Sequence, residues 1–224
     1  MRHWPLTQLT LTTPDLVLRV PDDDQLDELA QVAADGVVSP GAVYFPQPWA
    51  SGTPEQTAHN VLQNHWWARG DWREDNWRLL LAVLHDGQVI GQQNLSARDF
   101  RITREARTGF WLGRRFQGHG FGTQMRAAAL HLAFTCLVAD RVTSTSYADN
   151  IASRRICEKF DYEPNGIRRL AVGERLAEAH EAVLTAERWR AHRQLTTLIL
   201  GFDECRHMFG MPLAPGPVDV VLHV

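Results

Sequence analysis

The stretch Gly109-Phe110-Trp111-Leu112-Gly113-Arg114-Arg115-Phe116-Gln117-Gly118-His119-Gly120-Phe121-Gly122-Thr123, continued by Gln124-Met125-Arg126-Ala127-Ala128-Ala129-Leu130-His131-Leu132-Ala133-Phe134, decides how the chain is read. Ahead of the glycines, Ala106, Thr108, Phe110 and Leu112 alternate with Arg107, Gly109 and Trp111, the period of a strand. Behind them, Met125, Ala128, Ala129, Leu132, Ala133, Cys136 and Leu137 recur at the spacing of one helical face. The order is therefore strand, glycine loop, helix. Glycines opening a helix leave several backbone N–H groups unpaired and let an anion approach them, and the helix dipole adds positive potential at that end. No Lys follows the glycines, as a P-loop requires. Thr123 stands where a dinucleotide fingerprint has its third glycine, although Asp140 lies at a suitable distance for a ribose contact.

At 224 residues the chain suits one large domain, or one domain with an appendage. A net charge of −3 and a pI near 6.4 provide no global field for nucleic acid or an anionic membrane. Basic residues gather locally: Arg114, Arg115 and Arg126 around the glycine loop, and Arg154 and Arg155 further on. The three cysteines, Cys136, Cys157 and Cys205, form no CxxC and read as free thiols in a reducing compartment. The N-terminus carries no apolar run with a small-residue cleavage site, and no segment approaches about 18 consecutive apolar residues, so a cytoplasmic location is expected. The ten histidines show no ligand spacing, and no metal is expected.

In chain order, residues 16–20 form a short strand stopped by Pro21, and the acids after it open a helix with Leu26, Leu29, Ala30 and Ala33 buried. Residues 39–52 form a loop holding Tyr44, Phe45 and Trp49. Thr53-Pro54-Glu55-Gln56 is a capping box that starts a second helix running to about Ala68. Residues 77–84 and 89–95 are strands joined by a turn at His85-Asp86-Gly87-Gln88, and 96–104 is a polar connection. After the central helix, which ends near Asp140, a polar strand covers 141–147. Strands at 166–172 and 181–185, separated by Gly173-Glu174-Arg175, precede a short helix at Ala186. Residues 194–202 can add a strand, and Pro212, Pro215 and Pro217 mark an irregular tail.

The spacing of Gln117, Gly120 and Gly122, after a strand ending Trp111-Leu112-Gly113, resembles the coenzyme A pyrophosphate loop of the GCN5-related N-acetyltransferase (GNAT) superfamily. The stretch Ala148-Asp149-Asn150-Ile151-Ala152-Ser153-Arg154-Arg155-Ile156-Cys157-Glu158-Lys159-Phe160-Asp161-Tyr162 resembles that superfamily's later helix. Its Asn-x-x-Ser start and aromatic end recur in the RimJ/RimL-like branch, which acetylates protein N-termini. Leu184, Thr185, Glu187 and Trp189 resemble the end of that domain, so the likeness covers roughly residues 15–190.

The resemblance implies an α/β (α+β) fold with a mixed, mostly antiparallel sheet splayed between its fourth and fifth strands and flanked by helices. It implies a domain over 1–190 and an extension over 191–224 that packs on the domain or on a partner subunit. An acyl-CoA donor would lie against Trp111, Leu112, Gly113, Gln117, Gly118, His119, Gly120, Phe121, Gly122, Thr123, Asn150, Ser153 and Phe160. Ser153 would protonate the leaving sulfur, with Tyr147 as the fallback acid. Asn150 and Ser153 also suit a helix cap. The branch's glutamate base aligns with Val172 here, which leaves Glu174, Glu105, Asp99 or a water chain. Tyr44, Phe45, Trp49, Trp66, Trp67 and Trp72 are candidates for the acceptor groove, and equally for core packing.

The resulting expectation is transfer of an acetyl group from CoA to a primary amine, on a protein N-terminus or a small molecule, by a chain that forms a homodimer. A succinyl donor from succinyl-CoA would need a cation such as Arg98, Arg101 or His65. Two other readings stand beside it: an acyl-CoA-binding sensor or assembly module without catalysis, suggested by the displaced glutamate, and a nucleotide-dependent oxidoreductase, suggested by the glycines and Asp140.

Overall fold

The computed structural model describes residues 2–38, 45, 49–172, 174–191 and 195–212. Its elements are β1 (Thr10–Thr12), β2 (Val17–Arg19), α1 (Asp23–Ala34), α2 (Pro54–Gly70), β3 (Asn76–His85), β4 (Gln88–Arg98), α3 (Phe100–Thr103), β5 (Glu105–Leu112) and α4 (Phe121–His131). They continue with β6 (Arg141–Tyr147), α5 (Ile151–Lys159), β7 (Glu163–Val172), β8 (Arg175–Thr185), α6 (Ala186–Ala191), β9 (Leu198–Leu200) and α7 (Phe202–Cys205). One sheet holds all the strands in the order β7-β8-β6-β5-β4-β3-β2-β1-β9. Every neighbouring pair is antiparallel except β5 and β6.

Local chemistry sets the helix starts. Asp22 accepts from Gln25 N–H while Gln25 reaches back to Asp22 N–H, and Thr53 and Gln56 repeat the arrangement ahead of α2. Each capping side chain is worth about 1 kcal/mol. The β3–β4 hairpin turns on Asp86 (φ 49°) and Gly87 (φ 80°), both left-handed as a two-residue turn of this hand requires.

β3 reads as one apolar run because it is buried on both faces. Leu79, Leu81 and Val83 face the core beneath α4, with Met125, Ala128 and Ala133. Ala82 and Leu84 face the opposite core, with Leu26 and Leu29 of α1 and Val61 of α2. The small side chains of α4 let it lie close to the sheet, and the helix runs into a π turn at Leu132–Cys136 before Val138 takes a left-handed φ of 54°.

Several expectations change here. β1 was not expected; it pairs with β2 through Leu11 and Leu18, both fully buried. β7 and β8 are longer than the segments 166–172 and 181–185, forming one continuous hairpin. The polar connection at 96–104 contains the end of β4 and the short helix α3. Tyr44, Gly173, Pro215 and Pro217 lie outside the described residues.

The described part of the C-terminal segment is built into the same sheet and core. β9 pairs with β1, extending the sheet at that edge. Phe209 is fully buried and packs edge-on against Trp72 and Trp77, and Trp77 packs against Phe100. The Trp72 indole N–H donates to the Met208 carbonyl at 2.8 Å. Because Phe209 seals the core from the far end of the chain, Phe209→Ala is expected to cost about 3–5 kcal/mol, measured as a lowered urea midpoint.

Candidate active site

The parallel pair is where the sheet opens. β5 and β6 are in register from Glu105↔Arg141 to Thr108↔Ser144 and part beyond that point. Gly113 N–H donates to Ile90 O across the Gly91↔Leu112 pair, so Leu112 sits at a non-hydrogen-bonded position of the β4 ladder. Its N–H, and that of Phe110 two residues earlier, therefore point away from β4 into the gap that β6 has left. Backbone groups in such a gap need partners, and an extended ligand can provide them as a guest strand.

Below the gap the glycine loop is held to the sheet by one side chain: Gln117 Nε2 donates to both Leu112 O and Val37 O at 2.9 Å. Gly118 and Gly120 have φ of 83° and 84°, conformations that L side chains resist. Gly120 is the N-cap of α4 and brings no capping side chain, which leaves the first N–H groups of the helix open to an anion. A bare backbone is also needed at Gly122, where a Cβ would stand 2.9 Å from Ile156 and 3.2 Å from Phe110.

A cavity of about 450 Å³ runs over this loop, lined by Leu112, Gln117, Gly120, Gly122, Thr123 and the α5 cations Arg155 and Lys159. A second, of about 550 Å³, lies on the α2 side and is lined in part by Asn60, Asn94, Arg107, Thr145, Tyr147 and Arg168. Asn150, Ser153, Phe110 and Trp111 line both, so the two meet at the gap.

Asn150 and Ser153 stand together at this junction. Asn150 Oδ1 accepts from Ser153 N–H at 3.0 Å, capping α5. The cap uses only the oxygen, and the amide NH₂ can still donate elsewhere. Ser153 is buried. Tyr147 is buried as well, and desolvation lifts its phenol above the usual range, so it is protonated at neutral pH.

Other expected site residues fall outside the two cavities. Phe160 is buried in the core against Trp189, because α5 ends there and turns its aromatic residue inward. Glu174 is exposed in the turn between β7 and β8. His119 stacks on Phe121, which packs on His85, and Gly113 faces a separate recess with Arg114 and Arg115. Glu105 pairs with Arg141 at 3.8 Å. Of the aromatic candidates, Phe45, Trp49 and Trp67 line the larger cavity, whereas Trp72 is a core ring and Trp66 points to solvent.

Some functional groups were not foreseen. Arg126, expected among the loop cations, is 1% exposed and reaches under the junction, where its guanidinium lies over the rings of Phe110 and Tyr162 and donates to the Tyr162 hydroxyl at 3.2 Å. Burial pushes the Tyr162 phenol up to about 12, so it does not neutralise that charge. Glu181 on β8 accepts from Arg107, Arg168 and Thr145 at 2.9, 3.1 and 2.7 Å. His65 is buried and bonded to Gln92 Oε1 at 2.8 Å. It is an uncharged wall residue rather than a cation beside a thioester.

The family described as Acetyltransferase (GNAT) domain matches residues 15–163. The chain belongs to this family. YdaF of Bacillus subtilis, named provisionally as a ribosomal N-acetyltransferase, is 28% identical over 99 residues, which are 43% of this chain and 54% of YdaF. The chain thus aligns with about half the length of that curated relative. A structure of Mycobacterium smegmatis RimJ in complex with CoA-disulfide superposes with a TM-score of 0.61 at 18% identity, over 84% of this chain and 95% of RimJ. A structure of RimL, a ribosomal L7/L12 α-N-protein acetyltransferase in complex with coenzyme A, gives 0.59 at 16% identity, over 77% and 95% of the two chains. At these identities the two structures speak to the fold.

The buried imidazole of His65 generates a pH prediction. Desolvation lowers its pKa to about 4, so the folded state holds the neutral ring while the unfolded state protonates near 6.5. The stabilisation is complete above pH 6.5 and is lost as pH falls toward 4, by about 3 kcal/mol in all. Urea titrations of wild type and His65→Gln between pH 7 and 4 are expected to show a flatter dependence in the variant.

Proposed function

We propose that the chain is an acyl-CoA-dependent N-acyltransferase that moves an acetyl group from CoA to a primary amine, with a protein N-terminus as the preferred acceptor. The observation that carries this reading is the gap beyond Thr108 and Ser144, with unpaired N–H groups of Phe110 and Leu112 facing a junction between the glycine-loop cavity and an acceptor-sized cleft. On this reading the loop amides, Arg155 and Lys159 take the phosphates of the donor, and its pantetheine arm lies along β5.

The amine nitrogen attacks the thioester carbon while the Leu112 N–H polarises the carbonyl oxygen. The tetrahedral adduct collapses with cleavage of the C–S bond. Ser153, or Tyr147, gives its hydroxyl proton to the departing sulfur and recovers one from solvent, and the ammonium proton leaves to water. The products are an amide and CoA.

No Asp or Glu is among the described residues lining either cavity. The cations there work in place of a carboxylate base, because positive surroundings favour the neutral, nucleophilic form of an amine. An α-amine, with a pKa of about 8, needs less of this help than a lysine at about 10.4. The α-N acceptor in the name of RimL supports the same choice. Arg98, Arg101 and His65, the cations considered for a succinyl group, do not line either cavity, which favours acetyl. The absence of a carboxylate from the described lining also sustains a second reading, a CoA-binding module without catalysis.

Calorimetry with CoA and thiol release from acetyl-CoA or succinyl-CoA with peptide N-termini separate these outcomes. Binding and turnover with acetyl-CoA are expected, and Ser153→Ala is expected to lower kcat about 100-fold with CoA affinity unchanged. Binding without turnover over a broad amine panel establishes the second reading. Absence of CoA binding at millimolar concentration defeats both.

A further inference from the structure

The larger cavity has a feature that acyl transfer by itself does not require. At its outer part, Arg107 of β5, Thr145 of β6, Glu181 of β8 and Arg168 of β7 converge. Glu181 is largely covered, its side chain 17% exposed, and both of its oxygens are taken: Oε1 by Arg168, Oε2 by Arg107 and Thr145. The two guanidinium groups are half exposed, and each commits only Nη2 to the cluster. Two cations against one acid leave a surplus positive charge, with planar N–H forks free to bind further. The neighbouring lining residues Asn60, Asn64, Asn94 and Ser96 are neutral. A cleft built for a plain ammonium acceptor would carry the opposite sign.

We propose that Arg107 and Arg168 form a carboxylate-binding subsite for the acceptor, with Glu181 holding the two forks in place while the cleft is empty. A single surplus charge matches a carboxylate better than a doubly charged phosphate. The reach follows from the strand. The Arg107 guanidinium is fixed at the level of Thr145, two residues before Tyr147 at the junction, or roughly 7 Å along β6. An extended peptide covers that distance in about two residues. The acceptor class is therefore a peptide N-terminus followed by an acidic residue at the second or third position. The inference rests on the acyl-transfer reading above and adds the acceptor's chemistry to it.

The test uses the full chain with acetyl-CoA and pairs of peptide amides carrying Asp or Asn, and Glu or Gln, at the second or third position. The acidic member is expected to have a kcat/KM about tenfold or more above its carboxamide partner. The double variant Arg107→Gln, Arg168→Gln is expected to bring that ratio to about one while keeping the rate on the neutral peptide. Glu181→Gln is expected to raise the ratio, because it removes the carboxylate that competes for the same guanidinium groups; a merely structural role for Glu181 predicts a fall. Equal rates within each pair in the parent chain, or a preference that survives the double substitution, overturn the proposal. A second arm compares acetyl-CoA with succinyl-CoA on a neutral peptide: loss of succinyl transfer alone in the double variant gives the arginines to the donor and also overturns it. If CoA binds but no acceptor turns over, the acyl-transfer reading fails separately. Titration of glutarate and glutaramide into the CoA-loaded protein then decides the subsite, since only binding of glutarate that the double variant abolishes supports it.

Discussion

The arrangement depends on one unfinished ladder. β5 and β6 are the only parallel neighbours in the described sheet, and their pairing stops after Thr108 and Ser144 although both strands continue. Backbone amides that lose a partner inside a protein carry a desolvation cost, so such a gap is retained where something else fills it. The surrounding elements keep it open. Gln117 ties the glycine loop back to the end of β5, α5 begins directly after β6, and the buried Arg126 lies beneath with its charge resting on aromatic faces. Removing an acid from the wall of the adjoining cleft would change little, because the described wall contains none; its electrostatics come from arginine.

Much of this was legible in the sequence wherever the signal is local. The glycines around Gly120, the capping boxes at Asp22 and Thr53 and the Asp86-Gly87 turn each act within a few residues, and each forms the element its chemistry demands. The start of α5 was also readable, because Asn150 and Ser153 are three residues apart and one caps the other. What escaped were relations between distant segments. Glu181 meets Arg107 across 74 residues and two intervening ladders, and no spacing rule links them. His65 and Arg126 look like surface residues by type; only the packing of α2 and α4 on the sheet makes them interior groups. β1, with three residues, is too short to show a period and is specified by its two neighbours.

The C-terminal segment illustrates the same limit. Its prolines suggested an irregular appendage, yet Cys205 and Phe209 are fully buried, and the ring cluster of Trp72, Trp77, Phe100 and Phe209 joins four separate parts of the chain. Gly201 permits the approach: its φ is 73°, and a Cβ there would stand 2.2 Å from the Gln8 carbonyl oxygen. The chain end thus stabilises the sheet edge farthest from the cleft.

The π turn at Leu132–Cys136 carries a further implication. A wide turn holds one residue more than an α turn of the same rise, so it shifts the phase of everything downstream. Strand side chains alternate, and a slip of one position exchanges the two faces. Trimming a single amino acid between Leu132 and Cys136 would therefore straighten the helix while handing the places of Thr145 and Tyr147 to their neighbours Ser144 and Ser146. In this lineage, length variation in that bend is a means of re-tuning which residues β6 presents, with no substitution in the strand itself.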